Sequence, residues 1–172
     1  MKQLYLLLVL VLYIISGCNN DNSSNVSSSK TKLEINNILN SWHKSASIAN
    51  YDTYFDAMDS ISVYIGTDAS ENWTKKEFAN FSKPYFDKGK AWDFKPIERN
   101  IYFSNNGEVV WFDELLDTWM GICRGSGILE KSDNKWRIKH YVLSVSIPNN
   151  DIRAVIKDKI KSDSVFLLRY SK

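Results

Sequence analysis

The second half of this chain is a run of long alternating segments punctuated by turn signals, and that pattern most narrows the fold. After Gly89 the apolar period changes to two, as residues whose neighbours point to opposite faces of a sheet require. Trp92 to Ser104 reads as one strand, Asn106-Gly107 as a hairpin turn, and Glu108 to Asp117 as the next strand. Gly121 to Lys131 pairs back, Ser132-Asp133-Asn134 turns, and Lys135 to Ile147 forms the last long strand. Four such strands in succession predict an antiparallel meander, which must cover one face with something apolar.

The first half supplies that cover. From Lys30 to Asn50, Leu33, Ile38, Leu39, Trp42, Ala46 and Ala49 recur at three- and four-residue spacing, as in an amphipathic helix. A short helical piece follows over Tyr51 to Met58, then a short strand over Ser60 to Ile65 closed by Gly66. Thr74-Lys75-Lys76-Glu77 has the form of a capping box for a helix reaching Lys88-Gly89, with Pro84 expected to bend it or end its regular part. Pro148 to Asp151 stops the sheet and starts a final helix over Asp151 to Ser162. Helices followed by a meander define an α+β domain with the helices on one face of a curved sheet. The other face is left open to solvent or to a second copy.

Ahead of the domain, an apolar run from Leu4 to Ile15 ends in Ile15-Ser16-Gly17-Cys18. The run is too short to span a bilayer, which takes about 20 apolar residues, and suits the core of a secretory leader. The ending resembles the lipobox of bacterial lipoproteins. That resemblance implies cleavage before Cys18, lipid on its thiol, and a protein exported to the bacterial cell envelope and anchored to a membrane. Residues 19–29, rich in Asn and Ser, read as a polar tether. The expected organisation is therefore residues 1–17 leader, 18–29 tether, 30–151 domain, and 152–172 helix and tail. Cys123 is the second of two cysteines, so no internal disulfide can form once Cys18 is acylated, and Cys123 reads as a core residue.

The 22 Lys and Arg against 20 Asp and Glu are interspersed, with Lys157, Lys159 and Lys161 as the only modest basic cluster. Nucleic acid is therefore not an expected partner, because phosphate tracking needs a clustered basic stripe.

Tyr64-Ile65-Gly66-Thr67-Asp68-Ala69, Glu71-Asn72-Trp73, Phe86-Asp87-Lys88-Gly89-Lys90, Trp111-Phe112-Asp113-Glu114, Cys123-Arg124-Gly125-Ser126-Gly127 and Trp136-Arg137-Ile138 carry a family likeness. Together with the order of elements they resemble the SnoaL-like branch of the nuclear transport factor 2-like superfamily over about residues 33 to 151. The resemblance implies a cone-shaped sheet with three N-terminal helices on its concave face, closing a pocket. Its enzymes use a pocket Asp or His and often no cofactor; their catalytic sets do not map onto this chain by motif.

The residues themselves offer several candidates. With a hairpin centred between Thr118 and Trp119, Asp113 would face Arg124, on one sheet face with Trp111, Leu115, Ile122 and Ser126. That pair serves either as a structural ion pair or as a polar handle for a ligand. His140 alternates with Trp136, Ile138 and Val142, so it is expected to face the core, either as a hydrogen-bonded core residue or as an acid-base group. His43 is expected to face solvent. Trp73, Trp92, Trp111, Trp119 and Tyr54 are core residues or pocket walls. Gly125-Ser126-Gly127, mid-strand with no following helix, reads as close backbone packing and not as a phosphate loop. No metal-ligand spacing or Ser-His-Asp arrangement is present, and no cofactor is expected. Two functions compete: a domain that binds a small apolar or aromatic ligand or a partner, and a cofactor-free cyclase, isomerase or dehydratase using Asp113 or His140 as base.

Overall fold

The computed structural model describes residues 21–171. The leader, the lipobox and Cys18 lie outside the described residues. Four helices and six strands follow one another as α1 (Asp21–Ser47), α2 (Tyr51–Asp56), β1 (Met58–Ile65), β2 (Asn72–Thr74), α3 (Lys75–Asp87), β3 (Lys95–Phe103), β4 (Val109–Thr118), β5 (Gly121–Ser132), β6 (Lys135–Val145) and α4 (Ile152–Leu167). Helix α1 begins within the stretch read as a tether. Packing divides the chain inside α1, between Ser41 and Trp42. The first unit contains the early turns of α1, in which Ile35 and Leu39 are fully buried and Leu33 is exposed. No helix among the described residues is long and apolar enough to cross a membrane.

The second unit holds one mixed sheet in the order β2-β1-β6-β5-β4-β3. The expected meander is its β3-β4-β5-β6 half, antiparallel throughout. The early strand β1 then joins β6 in parallel, and β2, a three-residue strand absent from the sequence reading, closes the edge. The curved open sheet and its helices give the α+β class expected. The inner face is read from β4, where Val110, Phe112, Glu114, Leu116 and Thr118 are buried while Trp111 and Asp117 are exposed. Opposite them on β5 stand Leu129, Gly127, Gly125 and Cys123, also buried. Trp42 of α1 and Tyr54 of α2 stack at 4.9 Å over this face, and Trp42 meets Tyr141 of β6 edge-on at 4.8 Å.

The Thr74–Glu77 capping box forms as expected: the Thr74 N–H donates to Glu77 Oε2 and the Glu77 N–H to Thr74 Oγ1. Helix α3 does not end at Pro84 but runs through it to Asp87. Gly125 and Gly127 are packing glycines, since a Cβ on Gly127 would sit 2.5 Å from the His140 carbonyl oxygen and 2.8 Å from the Phe112 ring. A Cβ on Gly125 would lie 2.2 Å from the Tyr141 hydroxyl. The final helix, Asp151-capped without a side-chain bond, buries no residue.

Candidate functional site

A buried polar cluster and an open aromatic cleft carry the chemistry of the second unit. The cluster is centred on Glu114, fully buried on β4. His43 Nε2 lies 2.8 Å from Glu114 Oε1, and the Tyr141 hydroxyl donates to the same oxygen at 2.9 Å. Arg99 donates to Oε2 twice, from Nε at 2.9 Å and Nη2 at 2.7 Å. An ionised carboxylate only accepts and offers about four lone-pair sites, so His43 Nε2 carries a proton here and the sites are filled. Burial pushes the Glu114 carboxyl up, but the hydrogen bond and charge of His43 and the Arg99 guanidinium outweigh it and hold the group below the ordinary carboxylate value. Burial and then the Glu114 charge push the Tyr141 phenol well above its usual range, which keeps it a donor. A carboxylate so occupied takes up a substrate proton only by breaking this cluster.

The cleft has a volume of about 210 Å³ and opens beside α3. Phe78, Phe81 and Tyr85 of α3 line it, with Tyr64 of β1, Trp73 of β2, Trp92 and Phe94 of the following loop, Trp119 of the β4–β5 turn and Leu143 of β6. Gly66, Thr67, Glu71 and Ala91 complete the wall. The rings form a layered stack: Tyr64 on Phe78 at 3.8 Å, Phe78 by Trp73 at 5.5 Å, and Trp73 on Phe81 at 4.6 Å. Trp119, 82% exposed at its turn, lies at the rim. The Glu114 cluster does not line the cleft.

The sequence candidates divide between these places. Trp73 and Trp92 line the cleft. Tyr54 does not; it is buried behind Trp92, whose ring it meets edge-on at 5.4 Å. The β4–β5 hairpin is centred between Trp119 and Met120, with Thr118 paired to Gly121, so Asp113 pairs with Ser126 and Arg124 with Leu115. Asp113 and Arg124 do share a face, but diagonally, 3.8 Å apart, and it is the outer face, where Arg124 is exposed. Asp113 also accepts from Asn100 Nδ2 at 3.2 Å. Trp111 lies on that outer face, stacked on Tyr102 at 6.0 Å.

His140 is on the outer face too, contrary to expectation. Ile128 pairs with His140 and Leu129 with Ile138, so Lys139 is an extra residue, a bulge that reverses the alternation. Trp136 and Ile138 are buried before it, Tyr141 and Leu143 after it. The bulge is held by Lys139, whose ammonium reaches Asp59 at 3.2 Å and Glu130 at 3.1 Å. His43, expected in solvent, is buried, as are its α1 neighbours Trp42 and Ala46. Arg99, Glu114 and Tyr141 were not picked out from sequence. Their one signal was Gly125 and Gly127 two apart on β5, marking a face crowded by large neighbours. Cys123 is a buried free thiol. Among the described residues no group of His, Cys, Asp and Glu is arranged to hold a metal ion.

Comparison with known proteins extends this picture. The sequence profile of the SnoaL-like domain matches residues 35–148. No curated protein matches this chain. Among solved structures, a nuclear transport factor 2-like protein of unknown function from Pseudomonas putida superposes with a TM-score of 0.60 at 10% identity, covering 70% of this chain and 90% of that one. A cystatin-like protein of unknown function from Nostoc punctiforme gives 0.56 at 15% identity, over 67% and 90% of the two chains. The association domain of C. elegans CaMKII gives 0.57 at 17% identity, over 69% and 98%. At these identities the likeness shows the fold alone.

Proposed function

This chain belongs to the SnoaL-like domain family, and on that premise we propose that it is a lipid-anchored binding domain whose aromatic cleft takes a small apolar or aromatic ligand without transforming it. The observation that carries this reading is the cleft wall, eight rings with one carboxyl group and no His or Cys. A general base needs a free acceptor beside the substrate. Glu114 has its lone-pair sites filled, Asp113 and His140 do not line the cleft, and Glu71, the one carboxylate on the wall, has no His, Lys or Arg beside it there to stabilise the charge that proton abstraction would develop. The volume, below the 300–1,000 Å³ of sites for drug-sized ligands, favours a single-ring compound. Support for the anchor is the Leu4 to Ile15 run and Ile15-Ser16-Gly17-Cys18, which would place the domain at the bacterial envelope.

The test is a ligand-observed NMR screen of small neutral aromatics against the full chain in detergent. Binding should weaken in Trp73→Ala and Trp92→Ala and persist in Trp111→Ala. Hits indifferent to the first two substitutions, or chemical conversion of a hit during incubation, would contradict the reading.

A second reading concerns the outer sheet face. Tyr102, Trp111 and Ile128 are each more than a third exposed and sit in one cross-strand row, with Ile122 on the same face. Contiguous exposed apolar groups of this kind mark contact surfaces, and one similar structure is an association domain. We propose that a second copy covers this face. Sedimentation should show a dimer that Trp111→Glu dissociates; a wild-type monomer at high protein concentration would refute it.

A further inference from the structure

The cleft wall is chemically one-sided. Among the described residues that line it, Glu71 is the single charged side chain, and no Lys, Arg or His is present. The Glu71 carboxylate makes no ion pair among the described residues. Among the described residues its carboxylate accepts one hydrogen bond, from the Asp68 N–H to Oε2 at 3.2 Å. The backbone nevertheless holds the group in place, since the Gly66 N–H donates to the Glu71 carbonyl at 3.0 Å and the Glu71 N–H to the Asp68 carbonyl at 2.9 Å. Gly66 also makes room for it: a Cβ there would lie 2.0 Å from Glu71 Oε2. The turn thus holds a carboxylate that makes no ion pair among the described residues at the wall of an aromatic cleft.

Both parts of that wall prefer the same ligand charge. Aromatic faces carry the negative side of the ring quadrupole and attract cations within about 6 Å. A half-buried carboxylate gains most from a partner of opposite charge when water is displaced around it. The protein itself shows a ring of this cleft facing a cation, with the Lys88 ammonium 5.9 Å from the Tyr85 ring centre. An anionic ligand would find no basic side chain on the wall and would face Glu71.

We infer that the cleft selects small organic cations, compounds in which a protonated or quaternary amine is joined to a ring or compact apolar body, the charge lying against Glu71 and the body among Trp73, Trp92 and Phe81. The inference rests on the reading of the cleft as a ligand site and adds the sign of the ligand's charge.

Tryptophan fluorescence titration of the full chain at neutral pH, with benzylamine, benzyl alcohol and benzoate, tests both levels. The three probes share one ring and differ in charge. Benzylamine should bind about tenfold more tightly than benzyl alcohol, and benzoate more weakly than either. Glu71→Gln keeps an oxygen for the Asp68 N–H, so it should erase most of the benzylamine advantage while changing benzyl alcohol binding far less. Equal binding of benzylamine and benzyl alcohol, or an advantage that survives Glu71→Gln, would overturn the charge selection and leave a ligand site that reads only apolar surface. Tighter binding of benzoate would overturn it as well. No binding of any probe would overturn both the selection and the ligand-site reading beneath it.

Discussion

Replacing Glu114 by Gln removes the charge at the centre of the buried cluster while keeping its shape. One carboxylate oxygen becomes an NH₂. Each oxygen now accepts two donors, Oε1 from His43 and Tyr141 and Oε2 from Arg99. With its NH₂ toward Arg99 the amide faces only donors; turned the other way it can donate to a neutral His43 Nε2 or to the Tyr141 oxygen, but the Arg99 guanidinium still loses its anion, so about two charge-assisted bonds are lost. At about 1.5–3 kcal/mol each the loss is roughly 3–6 kcal/mol, in line with the ~3–5 kcal/mol for breaking a buried ion pair from one side. Against a total stability of about 5–15 kcal/mol this is severe. The melting temperature should fall by roughly 6–24 °C, taking 2–4 °C per kcal/mol. Circular dichroism melts and urea titrations would measure it. The acid limb supplies an independent check. Because the folded carboxyl lies below its ordinary value, its contribution is complete above the unfolded pKa and disappears as pH falls through the folded pKa. Wild type should therefore lose stability in that window, whereas Glu114→Gln lacks this component and the gap between them narrows in acid. A loss below about 1 kcal/mol, with parallel acid limbs, would refute the view that these four residues lock the sheet to α1.

Three further outcomes follow from other parts of the molecule. Gly127→Ala drives a Cβ into the His140 carbonyl and the Phe112 ring, so it should cost about 1–3 kcal/mol or more in urea unfolding; a neutral effect would mean that β5 shifts freely. Trp119→Ala removes a rim residue that packs little, and should change stability by no more than about 0.5 kcal/mol while weakening aromatic probes in fluorescence titration. Cys18→Ala should move the protein out of the membrane fraction of a bacterial host, and an unchanged distribution would contradict the lipid anchor.

The meander, the capping box and the order of elements were legible because each rests on local chemistry: period-two alternation, Asn106-Gly107, Thr74 with Glu77. The faces were harder. On β4 both sides are apolar, with Trp111, Leu115 on one and Phe112, Leu116 on the other, so the large Trp111 suggested the wrong side as core. A charged residue on the inner side, Glu114, hid beside Asp113 because burial of a carboxylate depends on Arg99, His43 and Tyr141, donors from three other elements. His140 was misplaced by a bulge whose cause is tertiary: Lys139 reaches Asp59 and Glu130. The hairpin between β4 and β5 turns one residue further along the chain than the Thr118-Trp119 centre suggested, which shifts each partner by two and converts a direct Asp113–Arg124 pair into a diagonal one. Trp73 and Trp92 were legible as wall residues, but the part of Glu71 was not, since it depends on a turn closed by Gly66.

The six tryptophans allow the central claim to be tested within one spectrum. Their indole N–H signals, followed by nitrogen–proton NMR of the full chain in detergent as an aromatic amine is added, report on cleft and non-cleft positions together. Trp73, Trp92 and Trp119 line the cleft, Trp42 and Trp136 are buried away from its wall, and Trp111 is on the outer face. The account predicts saturable shifts of the first three with the others still. Shifts confined to Trp111, or none that saturate, would contradict it.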